Sequence, residues 1–241
     1  MSTDNQIKLP TYVETPSIRR DSMAGDGPFK ASVEIQNNLG FPGEKVDNWQ
    51  EVAINKMAET KSKYKSVQVF LDSCMKCGAC TDKCHYFLGT ADPKNMPVAR
   101  QDLFRSVYRR HFTFAGKYFP RLVGAKDLDE EMLDDWYNYF HQCSQCRRCA
   151  VFCPSGIDTA EISMAAREVM NVIGVGQKYT NQILGKVKKI GNNLGMPEPA
   201  LKDTLLDLEE EIKDDTGVDV KLPIDIENSE VLMVSPSADF F

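Results

Sequence analysis

Eight cysteines in two runs of identical spacing set the terms for this chain. The first run is Cys74, Cys77, Cys80 and Cys84. The second is Cys143, Cys146, Cys149 and Cys153, followed by Pro154. Each reads C-x2-C-x2-C-x3-C, and together they use every cysteine among the 241 residues. That is the ligand spacing of bacterial ferredoxin-type [4Fe–4S] clusters, in which the fourth cysteine of a run ligates the other cluster. The expected ligand sets are therefore Cys74, Cys77, Cys80 and Cys153 for one [4Fe–4S] cluster, and Cys143, Cys146, Cys149 and Cys84 for a second. Crossed ligation of this kind makes the two runs one core. The chain between them then folds as helices spanning the pair.

Other chemistries fit the pattern less well. Structural zinc uses four-cysteine sets built from separated C-x2-C pairs, so two unbroken runs of four suit it poorly. A disulfide framework needs an oxidising compartment and an export signal. Arg19-Arg20 is followed by no apolar segment, so it does not read as a twin-arginine leader. His85, His111 and His141 are candidate ligands by type, but surface or packing roles are commoner for histidine. Lys76, Lys83, Arg147 and Arg148 lie between ligands. Two readings of them stand: they raise cluster potential, or they face solvent and balance charge. No nucleophile–base set, phosphate loop or paired carboxylates can be picked out, so no catalytic residue is assigned.

Composition adds bounds. Hydrophobic residues make up 42% and charged residues 27%, as in soluble globular proteins. No apolar run is long enough for a spanning helix. The net charge is −6, with twelve Asp or Glu against three Lys from Leu201 onward. No basic stripe is concentrated enough for a nucleic-acid partner.

Along the chain, residues 1–46 read as an extended arm. Asp47 and Gln50 suggest a capping box opening a helix to about Lys63, with Trp49, Val52, Ala53, Met57 and Tyr64 inward. Val67–Leu71 reads as a short strand leading into the first run. Pro97 opens a helix to about His111. The aromatic stretch after it (Phe112, Phe114, Tyr118, Phe119) is either a contact for a membrane subunit or core. Asp127 and Glu130 suggest the cap of a helix with Leu128, Met132, Leu133, Trp136 and Phe140 on one face. Asp158 and Glu161 cap another, with Ile162, Ala166, Val169 and Ile173 inward. Two further helices, over 177–189 and from Pro199, precede a strand-like run at 231–234. The expected fold is mainly α. The arm (1–46) leads into an α-helical two-cluster ferredoxin domain (47–176), a helical linker region (177–222) and the start of an α/β domain (223–241).

With the runs placed, the sequence resembles the helical ferredoxin module of the heterodisulfide-reductase-like proteins. The residues that carry the likeness are Leu71-Asp72-Ser73-Cys74, Pro97-Val98-Ala99-Arg100 and Cys153-Pro154-Ser155-Gly156-Ile157-Asp158. Within that family it is most similar to the DsrK-like branch of the sulfite-reductase-associated membrane complex. The resemblance implies a cysteine-rich CCG domain after the ferredoxin module, carrying a noncubane cluster at a thiol–disulfide site. It also implies a DsrM-like membrane cytochrome b and other complex subunits as partners, with a small DsrC-like sulfur carrier. The expected location is the cytoplasmic face of the membrane, held through those subunits. No cysteine follows Cys153, so the noncubane ligands are not in this sequence. The rival readings are the iron–sulfur subunit of a heterodisulfide reductase or of a quinone-linked glycolate-oxidase-type dehydrogenase, and a zinc-binding interaction module.

Overall fold

A computed structural model describes residues 29–224 and 226–231. The elements are helices: α1 (Val33–Leu39), α2 (Trp49–Lys63), α3 (Lys65–Ser73), α4 (His85–Thr90), α5 (Pro97–Phe112), α6 (Phe114–Tyr118), α7 (Pro120–Val123), α8 (Glu130–His141), α9 (Arg148–Val151), α10 (Thr159–Val172), α11 (Lys178–Ile190) and α12 (Glu198–Thr216). Short 3-10 turns cover Thr81–Lys83 and Pro93–Asn95. The chain divides into two units, Met1–Lys178 and Tyr179–Phe241.

The first unit is built around α10, which lies against α2, α3, α5 and α8. Its inward residues Ile162, Ala166, Val169 and Ile173 are fully buried, at the helical spacing that the sequence shows. The facing stripe of α8 is equally complete, with Met132, Leu133, Trp136 and Phe140 all buried beside Leu128. Trp136 stacks on Phe104 of α5 at 5.0 Å and meets Phe140 edge-on at 5.8 Å. Its indole N–H donates to Leu103 O at 3.2 Å, so burying the ring leaves no donor unpaired. Aromatic contacts of this geometry add about 1 kcal/mol each beyond the area they bury.

Several expectations are corrected. Val67–Leu71 is not a strand but the body of α3. A short apolar run has no decisive period, and here Val67 and Leu71, four apart, share the buried face while Val69 faces out. Residues 29–45 are not extended throughout. Ser32 caps α1, and the buried Gln36 side chain donates to Gly43 O and accepts from Gly176 N. Tyr64 is exposed, because it forms the joint between α2 and α3. Caps also differ by a residue or two. Asn48 precedes α2 and makes no side-chain cap, while Gln50 donates to Leu128 O instead. Asp129, rather than Asp127, caps α8. Asp158 caps α10 as expected, but Glu161 accepts from Ser66 Oγ of α3. The strand expected at 231–234 lies outside the described residues apart from Val231, as does the arm before residue 29.

In the second unit, α12 runs from Pro197 to a left-handed Gly217, with Leu205 buried. Glu209 of α12 accepts from Leu222 N and pairs with Lys221. The backbone N–H of Leu222 and the Lys221 ammonium hold its carboxyl below the ordinary value.

Candidate metal centre

Both cysteine runs begin where a helix ends. Cys74 caps the C-terminus of α3, and Cys143 follows the end of α8. A helix end leaves carbonyls without partners, and here side chains from the next helices cover them. Gln101 donates to Phe70 O at 2.7 Å, and Arg105 donates to Cys74 O at 2.8 Å. At the second run, Arg100 donates to Tyr139 O at 2.7 Å. Arg167 donates to Phe140 O at 2.7 Å and to Cys143 O at 2.5 Å. Each run thus has an arginine gripping the carbonyl of its first cysteine.

The two loops then repeat one backbone. Left-handed φ values occur on either side of the second cysteine of each run, at Lys76 (58°) and Gly78 (78°) and at Gln145 (59°) and Arg147 (59°). Thr81 N donates to Gly78 O and Ala150 N to Arg147 O, both at 2.9 Å. Only Gly78 meets this geometry without a Cβ penalty. Left-handed residues set among right-handed ones turn successive N–H groups into one concavity, a nest that favours anionic groups such as cluster sulfides.

Two partly open hollows result. The first, about 430 Å³, is lined by Cys74, Cys77, Cys80 and Cys153, with Cys149 also in its wall. The second, about 330 Å³, is lined by Cys84, Cys143, Cys146 and Cys149. The fourth cysteine of each run therefore faces the hollow of the other run, and Cys149 borders both. The first turns of α5 and α10 stand between them: Val98 and Thr159 line the first hollow, Pro97 and Ala160 the second. Among the described residues, no three His, Cys, Asp or Glu side chains gather tightly enough to hold a single metal ion. Each hollow presents at least four thiols, the donor number that a [4Fe–4S] cluster takes. Burial pushes the Cys80 thiol up to about 11 and raises that of Cys149. These inner sulfurs are neutral unless a metal draws off the proton.

The remaining candidates divide. Lys76 pairs with Asp102, Lys83 with Asp82 and Arg147 with Asp158, so three of the four cations between ligands have a carboxylate beside them. Lys83 also sits 4.8 Å from the Phe152 ring, tying the first run to the second. His85 lines the second hollow and lies 3.3 Å from Ser144 Oγ. His141 faces neither hollow. Its ring packs edge-on against Tyr137 at 5.1 Å, and neither ring nitrogen has a hydrogen-bond partner. Burial, helped by Arg167, pushes its pKa down to about 3, so it is an uncharged packing group. His111 borders a separate cleft with Gln50, Glu51 and Asp127. Sequence reading misses Arg105 and Arg167, since an arginine inside a helix gives no sign that it reaches a distant carbonyl.

Comparison with known proteins agrees with the class this site defines. Residues 70–157, the segment that holds both cysteine runs, match the 4Fe-4S dicluster domain family. Beyond that segment, the chain is 46% identical over 195 residues to the Hdr-like menaquinol oxidoreductase iron-sulfur subunit 2 of Archaeoglobus fulgidus, covering 81% of this chain and 35% of that one. It is 44% identical, with the same coverage, to the Hdr-like menaquinol oxidoreductase iron-sulfur subunit of Archaeoglobus profundus. It is 27% identical over 106 residues to a subunit of the dihydromethanophenazine:CoB–CoM heterodisulfide reductase of Methanosarcina mazei, covering 44% of this chain and 25% of that one. The chain spans about a third of the length of its Archaeoglobus relatives. No solved structure matches.

Proposed function

We propose that this chain is the electron-relay module of a heterodisulfide-reductase-like iron–sulfur subunit. Cys74, Cys77, Cys80 and Cys153 hold one [4Fe–4S] cluster, and Cys143, Cys146, Cys149 and Cys84 hold the other. The observation that carries the reading is the exchange of Cys84 and Cys153 between the two hollows. Bound clusters of this type supply reversible one-electron storage. The chain contributes the rest: arginines that fix where each run starts, nests that present N–H groups, and two first turns that set the spacing. All eight cysteines are committed, so no disulfide chemistry is assigned to these residues. The reading keeps 47–176 as the ferredoxin module, with 1–46 as its arm, 177–222 as linker and 223–241 as the start of a CCG-type domain.

The finer reading sets the chain between a DsrM-like membrane cytochrome b and a thiol–disulfide site served by a DsrC-like sulfur carrier. The likeness to menaquinol oxidoreductase subunits supports a quinol-linked electron source, and favours this family over a glycolate-oxidase-type subunit. Copurification with a cytochrome b would support it. A flavoprotein partner without a cytochrome overturns it.

The ligand sets are tested on the full chain, purified without oxygen. About eight irons per chain are expected, with EPR signals on reduction. Under crossed ligation, Cys84→Ser perturbs the same EPR signal as Cys146→Ser, and Cys153→Ser the same one as Cys77→Ser. Uncrossed ligation reverses that pairing. Two zinc ions and no signal end the iron–sulfur reading.

A further inference from the structure

One stretch is for the most part neither core nor cluster site. From Phe112 to Lys126 the sequence has no Asp or Glu, but it has three Lys or Arg in a chain whose net charge is −6. After the end of α5 it folds as a hook, α6 and α7. Core packing, one of the two readings of its aromatics, holds for Phe112, which stacks on Tyr108 at 5.7 Å. It fails for the rest. Phe114 is 74% exposed, Tyr118 66%, Phe119 56% and Leu122 84%.

The hook is held without these side chains. Thr113 caps α6 through Gly116 N and donates to Arg109 O at 2.8 Å. Gly116 lets α6 press on the last turn of α5, because a Cβ there would lie 1.8 Å from Arg109 O. Arg109 donates to Val123 O at 2.9 Å, Arg110 to Lys117 O at 3.3 Å, and Lys126 N to Ser106 O at 3.2 Å. Hydrogen bonds to backbone carbonyls and one close approach fix the shape, and the apolar side chains stand out from it. Lys117, Arg121 and Lys126 are exposed among them, with no ion pair among the described residues.

We infer that this hook is a membrane-surface anchor that binds anionic lipid directly. The apolar tips and the exposed cations lie on the same short hook, with no acidic residue between them. Aromatic and leucine tips suit the headgroup boundary, and unpaired cations suit anionic headgroups. No described helix is long and apolar enough to cross a membrane. The inference is separate from the relay reading, since it concerns where the chain sits and not what its cysteines hold.

The test is vesicle flotation of the full chain, purified without oxygen and without partner subunits. Vesicles are equal parts phosphatidylglycerol and phosphatidylcholine, or phosphatidylcholine alone. Binding to the anionic vesicles is expected, at least tenfold weaker on neutral ones and weakened by salt. Lys117→Gln with Arg121→Gln should weaken it about 25-fold, at about fivefold per cation. Phe119→Ser with Leu122→Ser should weaken it by about tenfold or more. Both pairs alter exposed positions and should keep wild-type iron content and melting. A control on basic α11, Lys186→Gln with Lys189→Gln, should bind as wild type. Failure to float, equal binding to neutral vesicles, or hook variants that float normally would overturn the proposal. So would hook variants that keep vesicle binding but lose assembly with a membrane subunit, which would make the hook a protein-docking site.

Discussion

The two cysteine hollows share a backbone and differ in charge. Around the first, the buried Arg105 pairs with Asp102, and Lys76 pairs with the same carboxylate. Around the second, Arg100 and Arg167 donate to carbonyls and an amide, and neither meets a carboxylate among the described residues. His141 beside Arg167 is neutral and adds nothing. One loop geometry has thus been set in two electrostatic surroundings. Net local charge is one of the terms that sets cluster potential. If each hollow holds a cluster, the more positive second site is expected to have the higher potential.

The strongest way to break that asymmetry is Arg167→Gln. Three hydrogen bonds to the Phe140 and Cys143 carbonyls go with the charge. A loss of about 2–3 kcal/mol of stability is expected, since buried carbonyls are left unpaired. The potential of the second cluster should fall by roughly 50 mV, the scale of one partly screened charge at an effective dielectric of about 20. The first should stay put. Arg167→Lys keeps the charge but not the planar fork, so it should hold most of the potential while losing part of the stability. EPR-monitored redox titration and urea unfolding without oxygen separate the two effects. An unchanged gap between potentials in Arg167→Gln would refute the electrostatic account.

Asp102→Asn approaches the same gap from the other side. Removing the carboxylate leaves Arg105 and Lys76 uncompensated beside the first run, so the first potential should rise toward the second. Asparagine keeps one acceptor for Arg105, and Asp102 is partly exposed, so the stability loss should be smaller, about 1–2 kcal/mol. A rise in the second potential alone would mean that the charges have been assigned to the wrong hollow.

What the sequence shows of this arrangement depends on how local each cause is. The stripe Met132, Leu133, Trp136, Phe140 and the stripe Ile162, Ala166, Val169, Ile173 are legible because helical period is written in neighbouring residues. The spacing of the cysteines is legible for the same reason. Val67–Leu71 misleads because five apolar-rich residues suit either period, and α10 packing decides between them. Arg105 and Arg167 are not legible at all. Their partners, Cys74 and Cys143, lie 31 and 24 residues away, and only the packing of α5 and α10 brings them together.

The smallest test concerns the shared backbone itself. The residue after the second cysteine is left-handed in both loops, but one loop has Gly78 there and the other Arg147. Gly78→Ala puts a Cβ into that conformation and should cost about 1 kcal/mol. Arg147→Gly should relieve a similar strain in the second loop. It also frees the unfolded chain and removes the 3.2 Å pair with Asp158, so the net change should stay within about 0.5 kcal/mol. Urea midpoints with clusters loaded give both values. Equal losses at the two positions would mean that the loops are held by their ligands and not by their backbone. Unequal losses would mean that the second loop is folded at a standing backbone cost that the first avoids by using glycine.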